Sequence, residues 1–408
     1  MKRVLVWGPP LVFLVLAMAT ACSKSADGAA ATADVACDLK AASASAAEAK
    51  LAGCGVKWID ANVAINQLQA FGTHNSYKIK IPDNELAIIG ERNANAAVTL
   101  DYSHEELAVQ LDRGARQIEI DPSDDPQGGL YATPLMPKLV AAKGGTAAGY
   151  SEAELAMLAK PGIKVIHTAD IDIRSHCLLF ADCLAQVKRW SDAHPTHSPI
   201  LIMINPKSSG VSWEGAVKVL PWGKDAFERM EAEIRSVFPP EQIIEPDDVR
   251  GSHATLREAV TAGGWPKLGE ARGKVIFAID LSPEANKPYA EGHPSLAGRA
   301  AFMTTFPDAP EAAYFTMNEP VKDLALIQER VKQGFIIRTR ADADTKEARA
   351  NDTSRREAAL ASGAQFISTD YMAPDARFAG GYTAKLPEGA AARCNPVSAP
   401  AGCDMKAE

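Results

Sequence analysis

Polar side chains suited to acid–base chemistry follow several apolar runs in this sequence. His74 and Asn75 come just after "NQLQAFG", and Glu119 and Asp121 close "RQIEID", two residues apart and therefore on one face of a strand. His167 lies at the end of "IKVIHT". Imidazole titrates near neutrality and suits proton transfer, whereas amide and carboxylate oxygens suit a hard divalent cation. These residue types predict proton transfer beside a metal ion.

The later apolar runs also end in polar groups. These polar groups are Asn205, Lys207, Asp280, Arg338, Arg340 and Asp370. Parallel strands bring their carboxyl ends to one rim, so these side chains should converge there. Such a rim predicts phosphoryl transfer, because cations balance the charge that develops on the phosphate oxygens. We expect Lys207 and Arg338 to contact the substrate phosphate. The alternative for Lys207 is that it lies at the rim and reaches only solvent.

The elements that position these groups can be inferred from the pattern of the chain. Eight short apolar runs alternate with helix-like stretches. This predicts an α/β protein with a parallel sheet, most simply a distorted (β/α)8 TIM barrel, with a doubly wound open sheet as the alternative. Ser103 and Glu106 predict a capping box at the start of a helix, and Gly363 occupies a position typical of a helix C-cap.

The composition is that of a globular protein with a sizeable core. Of the 408 residues, 47% are hydrophobic and 23% are charged. No repeat or linker divides residues 58–393, which we interpret as one barrel domain with a long insertion at 122–162, followed by a C-terminal tail at 394–408. The formal net charge of −8 argues against nucleic acid as a partner, but a locally positive site would still accept a phosphate. We expect a monomer.

The N-terminus has the pattern of a targeting segment. Lys2 and Arg3 precede an apolar run that ends in "ATA" and Cys22. This predicts a signal or lipoprotein peptide over residues 1–22, with a lipid on Cys22; plain secretion is the alternative. Residues 23–57 are rich in Ala and Ser and predict a tether. We therefore expect an exported protein, held as a periplasmic or cell-surface lipoprotein at a membrane surface.

The other six cysteines form three pairs that are local in the sequence. The pairs are Cys37 with Cys54, Cys177 with Cys183, and Cys394 with Cys403. Other connectivities are possible, but short sequence separation favours this one. Three disulfides would fit the oxidising compartment that the N-terminus indicates.

Several ordered elements resemble one known family. They are "NQLQAFGTHNSYK", "YSHEELAVQLDRGARQIEID", "IKVIHTADIDIRS", "IIRTRADADTKEAR" and "ALASGAQFISTDY". Together they are similar to the calcium-dependent phosphoinositide-specific phospholipase C family of secreted bacterial type. The resemblance implies a distorted TIM barrel that cleaves a phosphodiester next to a free hydroxyl, through a cyclic phosphate. It also implies two catalytic histidines and one Ca²⁺.

The resemblance gives roles to individual residues. His74 matches the first catalytic histidine, and His167 matches the second, which protonates the leaving alkoxide. Asn75 matches a neutral calcium ligand. Glu119 and Asp121 match the paired carboxylates that bind the metal, one of which is also a candidate base for the attacking hydroxyl. Calcium prefers hard oxygen ligands, so the histidines are expected to serve catalysis and not the metal.

One position departs from the family pattern. The fourth strand in this family typically ends in a glutamate ligand, in a pattern like Glu-x-Lys, but this chain has Asn205 there, followed by Pro206 and Lys207. An amide oxygen can still bind calcium, although one negative charge is lost. Calcium would then bind more weakly, another acid such as Asp280 would compensate, or the metal would differ.

Other aromatic and histidine residues receive structural interpretations. We expect His104 at the start of a helix, without a catalytic role. Trp213, Trp222 and Trp265 predict either core packing or a rim that contacts lipid or an inositol ring.

Three functions remain open from the sequence. The first is a phosphoinositide-type phospholipase C acting on a phospholipid. The second is a relative that cleaves another phosphodiester, such as a glycerophosphodiester. The third is a non-catalytic binding lipoprotein on the same barrel. A cyclic product would distinguish the first from the second, since only the first requires a free hydroxyl next to the phosphate.

Overall fold

The strands and helices were obtained from a computed structural model that describes residues 54–401 and 403. Within this part the strands are β1 Leu68–Thr73, β2 Gln117–Ile120, β3 Pro122–Ser123, β4 Lys164–Val165, β5 Ile200–Ile204, β6 Val275–Ile279, β7 Ala301–Met303, β8 Tyr314–Thr316, β9 Ile336–Arg340, β10 Phe366–Thr369 and β11 Ala392–Cys394.

The helices surround these strands. They span Cys54–Asn62, Asp83–Arg92, Ala94–Thr99, Leu107–Asp112, Met136–Ala142, Glu152–Leu158, Phe180–Ala193, Lys224–Val237, Pro246–Arg250, Leu256–Thr261, Leu268–Ala271, Pro283–Ala290, Leu324–Lys332, Lys346–Ala350 and Ser354–Ser362. The central strands are buried on both faces, as expected for parallel strands covered by helices.

The parallel strands form two sheets that adjoin at both sides. One sheet has the order β11-β1-β10-β9-β8, with β11 antiparallel, and the other has the order β2-β5-β6-β7. At one seam, Arg116 N donates to Phe71 O at 2.8 Å, and at the other a single parallel bridge joins Thr304 to Tyr314. The predicted α/β class with parallel strands is confirmed, and the strand order is barrel-like, with two seams that lack a regular ladder.

The third apolar run does not lie in the parallel wall, contrary to the prediction. Its strand β4 pairs antiparallel with β3, while β2 pairs directly with β5. The run is short because a tight turn follows it, in which Asp172 N donates to Thr168 O at 2.9 Å. The short strand β8, Tyr314–Thr316, stands in the wall instead and pairs parallel with β9.

Glycine is required at the seam between β1 and β2. A Cβ atom on Gly72 would lie 2.1 Å from the carbonyl oxygen of Gln117, far inside van der Waals contact. The two strands can therefore approach only because residue 72 has no side chain.

The predicted capping box at Ser103 is wrong. The helix begins at Leu107, and its N-cap is Glu106, whose side chain makes no capping hydrogen bond. The residues before it are instead tied to the segment after β1, since His104 N donates to Lys78 O at 2.9 Å. The predicted C-cap at Gly363 is confirmed, with a left-handed φ of 74°.

Two of the three predicted disulfides are present. Cys177 is bonded to Cys183, and Cys394 to Cys403. Cys37 lies outside the described residues, so its pairing with Cys54 stays a prediction. In the described part of the chain, no helix has both the length and the apolar character needed to cross a membrane.

The tryptophans between β5 and β6 mostly pack in the core. Trp222 and Trp265 are buried, whereas the Trp213 ring is half-buried beneath the guanidinium of Arg92, 4.3 Å from the ring centroid. The interpretation of Trp222 and Trp265 as core residues is confirmed.

Candidate active site

The loop after β1 delivers two polar side chains to the barrel rim. Asn75 adopts a left-handed backbone conformation, with φ of 48°, which turns the chain sharply after His74. Ser76 fixes this turn to β2, because its N–H donates to Glu119 O at 3.0 Å and its hydroxyl accepts from Glu119 N at 2.8 Å. The polar residues of this turn therefore have two functions: Ser76 anchors the turn, and His74 and Asn75 are presented at the rim.

His74 is oriented by a buried carboxylate. Its Nδ1 lies 2.9 Å from Asp370 Oδ1, and its Nε2 lies 3.8 Å from Glu119 Oε1. Asp370 is itself held by Asp342, whose Oδ1 accepts from Asp370 N at 2.8 Å. Burial, reinforced by nearby Arg340, lowers the pKa of His74 well below its usual value, so the ring is neutral at neutral pH. A neutral ring that donates from Nδ1 to Asp370 leaves a lone pair on Nε2, facing Glu119.

His167 has a similar arrangement. Its Nδ1 lies 2.7 Å from Asp172 Oδ2, within the turn that follows β4. The same carboxylate oxygen accepts from Lys78 Nζ at 2.6 Å. Asp172 thus joins His167 to Lys78, which follows the loop of His74 in the chain.

The two carboxylates at the end of β2 are buried beside cations. Glu119 Oε2 accepts from Arg338 at 2.6 Å, with both side chains 1% exposed. Burial raises the pKa of Glu119 to about 7, with Arg338 opposing the shift and Asp121 adding to it. Lys207 Nζ lies 2.8 Å from Asp121 Oδ2, close enough for an ion pair but not aligned for a hydrogen bond.

Arg338 is less available to a substrate than the sequence predicted. Besides Glu119, its guanidinium donates to Asn318 Oδ1 at 2.7 Å, and its Nε has no partner. Its buried contact with Glu119 indicates that it holds this carboxylate in place. Lys207 is half-buried at the rim and more accessible.

The residues predicted to bind a metal supply acceptors that receive no hydrogen bond. Asn75 Oδ1 and both carboxylate oxygens of Asp121 are buried and receive no hydrogen bond. Asn205 is brought beside them because its backbone N–H donates to Ile120 O at 2.9 Å. Within residues 54–401 and 403, no three His, Cys, Asp or Glu side chains form a metal cluster, as expected for a site half built from amides. Orphaned hard oxygen acceptors of this kind fit calcium.

Sequence reasoning missed a layer of residues behind the histidines. Tyr102 accepts from Asn75 Nδ2 at 2.7 Å and its hydroxyl lies 3.3 Å from His74 Nδ1. His104 does not open a helix; its Nε2 lies 2.7 Å from the carbonyl oxygen of His74. The segment that carries both residues has no periodic pattern, so the sequence offered no signal for their position.

The two histidines predicted to be catalytic are partly exposed and do not line the cavity beside Asp370. A cavity of about 370 Å³ lies on the other side of Asp370, lined also by Thr73 and His104. Neither His74 nor His167 lines it. The two imidazoles retain 18% and 17% exposure respectively, which is consistent with a substrate that approaches from outside.

This fold and this site define a phosphodiester-cleaving enzyme. A family model described as phosphoinositide phospholipase C, Ca²⁺-dependent, matches residues 63–396, which is most of the 408-residue chain. The chain therefore belongs to this family, and its activity is that of a Ca²⁺-dependent phosphatidylinositol-specific phospholipase C-like phosphodiesterase. No relative was found among curated proteins.

Solved structures are similar in fold. A calcium-dependent phosphoinositol-specific phospholipase C from a Gram-negative bacterium, Pseudomonas sp, described as apo form, myoinositol complex, is 17% identical with a TM-score of 0.51 and covers 82% of this chain and 96% of its own. Crystal form 1 of the apo form gives a TM-score of 0.52 at the same identity and coverage. A Ca²⁺-dependent phosphatidylinositol-specific enzyme from Streptomyces antibioticus is 21% identical, covers 75% of this chain and 94% of its own, and has a TM-score of 0.44, too low to support an argument.

Proposed function

We propose that this chain cleaves phosphatidylinositol in two steps. In the first, the inositol hydroxyl next to the phosphate attacks phosphorus, the bond from phosphorus to the glycerol oxygen breaks, and diacylglycerol leaves with one proton. A cyclic inositol phosphate forms. In the second, water opens this ring to give inositol phosphate. Membership of a phosphoinositide phospholipase C family supports the choice of substrate.

The observation that carries this proposal is that two imidazoles are held in the same way. Each holds its Nδ1 against a buried carboxylate, Asp370 for His74 and Asp172 for His167. Among the described residues, neither Nε2 has a hydrogen-bond partner. Two rings fixed in this way can exchange protons with a substrate from Nε2 alone, as an acid and base pair requires.

The first step needs a base and an acid. His74 takes the proton of the attacking hydroxyl at Nε2, because its lowered pKa keeps the ring neutral and able to accept. Glu119 Oε1, 3.8 Å away, stabilises the imidazolium that results and is the other candidate for the base. His167 gives its Nε2 proton to the glycerol alkoxide. In the second step His167 accepts a proton from water, and His74 returns one to the ring oxygen.

The acceptors at the rim are assigned to calcium. Asn75, Glu119, Asp121 and Asn205 would hold the ion, which when bound supplies positive charge against the phosphate oxygens. Lys207 supplies a further positive charge that can reach the phosphate, because its side chain is 23% exposed at the rim. The support for these assignments is that the buried side-chain oxygens of Asn75 and Asp121 receive no hydrogen bond.

The test is ³¹P NMR of the purified protein with phosphatidylinositol vesicles, with and without Ca²⁺. We expect a cyclic inositol phosphate signal that appears first and then converts to the open monoester. EDTA should abolish both signals. Release of an open product with no cyclic intermediate from a glycerophosphodiester, but not from phosphatidylinositol, would support the alternative phosphodiesterase. If neither substrate is turned over, a non-catalytic binding lipoprotein is the function that remains.

Location and assembly are part of the proposal. Residues 1–22, with Cys22 at their end, support export with a lipid anchor, and the two disulfides fit the oxidising compartment that export would reach. An anchor on Cys22 followed by the tether at 23–57 would keep a monomeric domain at a periplasmic or cell-surface membrane. Mass spectrometry of the mature chain, before and after lipase treatment, tests the anchor.

A further inference from the structure

Lys78 has an unusual environment for a lysine. It follows the loop that carries His74 and Asn75, in the sequence "THNSYK". In the structure it is 0% exposed, and its ammonium contacts Asp172 Oδ2 at 2.6 Å. A cation is rarely buried in this way unless a specific partner compensates for its lost hydration.

The partner of Lys78 is the carboxylate that orients His167. Asp172 Oδ2 accepts from Lys78 Nζ and from His167 Nδ1, at 2.6 Å and 2.7 Å, while Asp172 Oδ1 is buried without a partner. One oxygen atom therefore joins the first catalytic loop to the second. Lys78 Nζ also lies 5.2 Å from the centroid of the Tyr102 ring, which backs His74.

The backbone fixes Lys78 in this place. Lys78 forms an antiparallel bridge with Ser175, and the next residue, His176, donates its N–H to Tyr77 O at 2.8 Å. On the other side, His104 N donates to Lys78 O at 2.9 Å. Three loops thus meet at the backbone of this residue, and its buried side chain ends against Asp172.

We propose that Lys78 is a positioning residue that keeps Asp172 as a carboxylate and thereby fixes the orientation of His167. The expected kinetic effects rest on the proposed function, whereas the contacts of Lys78 do not depend on it. Lys78 does not touch the substrate; it acts through Asp172. Its second role is to divide the negative charge of Asp172 between two cations, so that His167 can both give and regain a proton in the two steps.

The charges around Asp172 support this role. Burial alone would raise the pKa of Asp172, but Lys78 and His167 outweigh it, and the net shift is downward. The carboxylate form therefore persists to lower pH than usual and is lost as pH falls through the lowered value. Other groups that face it are Tyr77, Tyr102 and Tyr150, whose raised pKa values keep them neutral.

The experiment compares Lys78→Met with Lys78→Arg and with a matched control, Lys164→Met. Lys164 is also 0% exposed and paired, 3.4 Å from Asp125, in the ribbon that carries His167, but it contacts neither imidazole. For Lys78→Met we expect kcat to fall about 10- to 100-fold, the usual loss when a supporting partner is removed. KM should change less than about 3-fold, since no substrate contact is lost.

Two readouts separate positioning from general damage. In Lys78→Met the acidic limb of the pH–rate profile should move to higher pH, because burial then acts on Asp172 with only His167 to oppose it. Lys78→Arg should recover part of kcat and return the acidic limb to its wild-type pH. Lys164→Met should retain the wild-type limb whatever its rate. An unshifted limb in folded Lys78→Met, or the same shift in Lys164→Met, would overturn the proposal.

A double variant keeps the test decisive if Lys78→Met fails to fold. Lys78→Met with Asp172→Asn leaves no buried unpaired charge and should be no slower than Asp172→Asn alone, since Lys78 acts through Asp172. A rate clearly below that of Asp172→Asn alone would overturn the proposal. ¹H–¹⁵N spectra of the imidazoles test the geometry without substrate: the Nδ1–H signal of His167 should persist to lower pH in the wild type than in Lys78→Met. An inactive wild type would refute the proposed function and leave this readout intact.

Discussion

Removing Lys207 should tighten calcium binding. Its ammonium lies 2.8 Å from Asp121 Oδ2, one of the oxygens assigned to the metal. A cation entering this site must displace the lysine from the carboxylate. Lys207→Met removes that competitor and leaves Asp121 with both oxygens free. We therefore expect a lower Kd for Ca²⁺, although turnover should fall if Lys207 also contacts the phosphate.

The magnitude can be bounded from the geometry. At 2.8 Å and an effective dielectric of about 20, the Coulomb attraction between the two charges is about 6 kcal/mol. The lysine is 23% exposed and regains hydration when displaced, so most of this attraction cancels. Exposed pairs contribute at most about 1 kcal/mol, and this half-buried pair should exceed that. A net gain of about 1 to 3 kcal/mol corresponds to a Kd about 5- to 150-fold lower.

Isothermal titration calorimetry without substrate measures this Kd directly. The control is Lys188→Met, which removes the same charge from a surface ion pair with Asp192 and should change the Kd only by the general effect of net charge. An unchanged Kd in Lys207→Met, relative to Lys188→Met, would show that Asp121 is not a ligand or that the lysine leaves it without cost. A weaker Kd would contradict the competition outright.

Three further predictions concern the same rim. His74→Ala and His167→Ala should each lower kcat at least about 100-fold while the protein stays folded, as judged by circular dichroism, because each removes an acid or base; near-normal turnover of a natural lipid would refute that residue's role. Asn205→Glu should lower the calcium concentration for half-maximal activity, since it restores a third carboxylate; a calcium titration at fixed pH decides it, and a higher concentration would contradict the assignment. Asp370→Asn should lower kcat about 100-fold or more without changing the calcium Kd, because an amide that donates to Nδ1 would leave the His74 proton on Nε2; equal loss in Kd would indicate general damage.

The sequence predicted most strands because each is an apolar run ended by polar groups. It misplaced "IKVIHT" since a run shows that a strand exists but not which strand it pairs with. The strand Tyr314–Thr316 occupies that place in the barrel wall instead, and it is too short to give a periodic signal. Pairing is set by contacts between distant parts of the chain, such as the bridge from Thr304 to Tyr314.

The same limit applies to the site. His74, Glu119, Asp121 and Asn205 could be placed at one rim because parallel strands end there. Lys78, in contrast, gave no signal. Its role depends on a contact with Asp172 that no local pattern encodes, since the two residues lie in separate loops.

The ribbon formed by β3 and β4 has a consequence for how this protein can vary. Residues 124–163 form an excursion that begins after Ser123 and ends at Lys164, and these two residues are paired side by side. Everything between them is an excursion whose ends are already closed, so doubling a flexible stretch within it costs only about 0.6 kcal/mol of chain entropy. Its exposed part at 143–146, after the helix that ends at Ala142, is thus a natural acceptor for inserted sequence, even a whole module. The ribbon before His167 keeps its contacts outside the excursion, since Lys207 N donates to Pro122 O and Val165 N donates to Leu178 O.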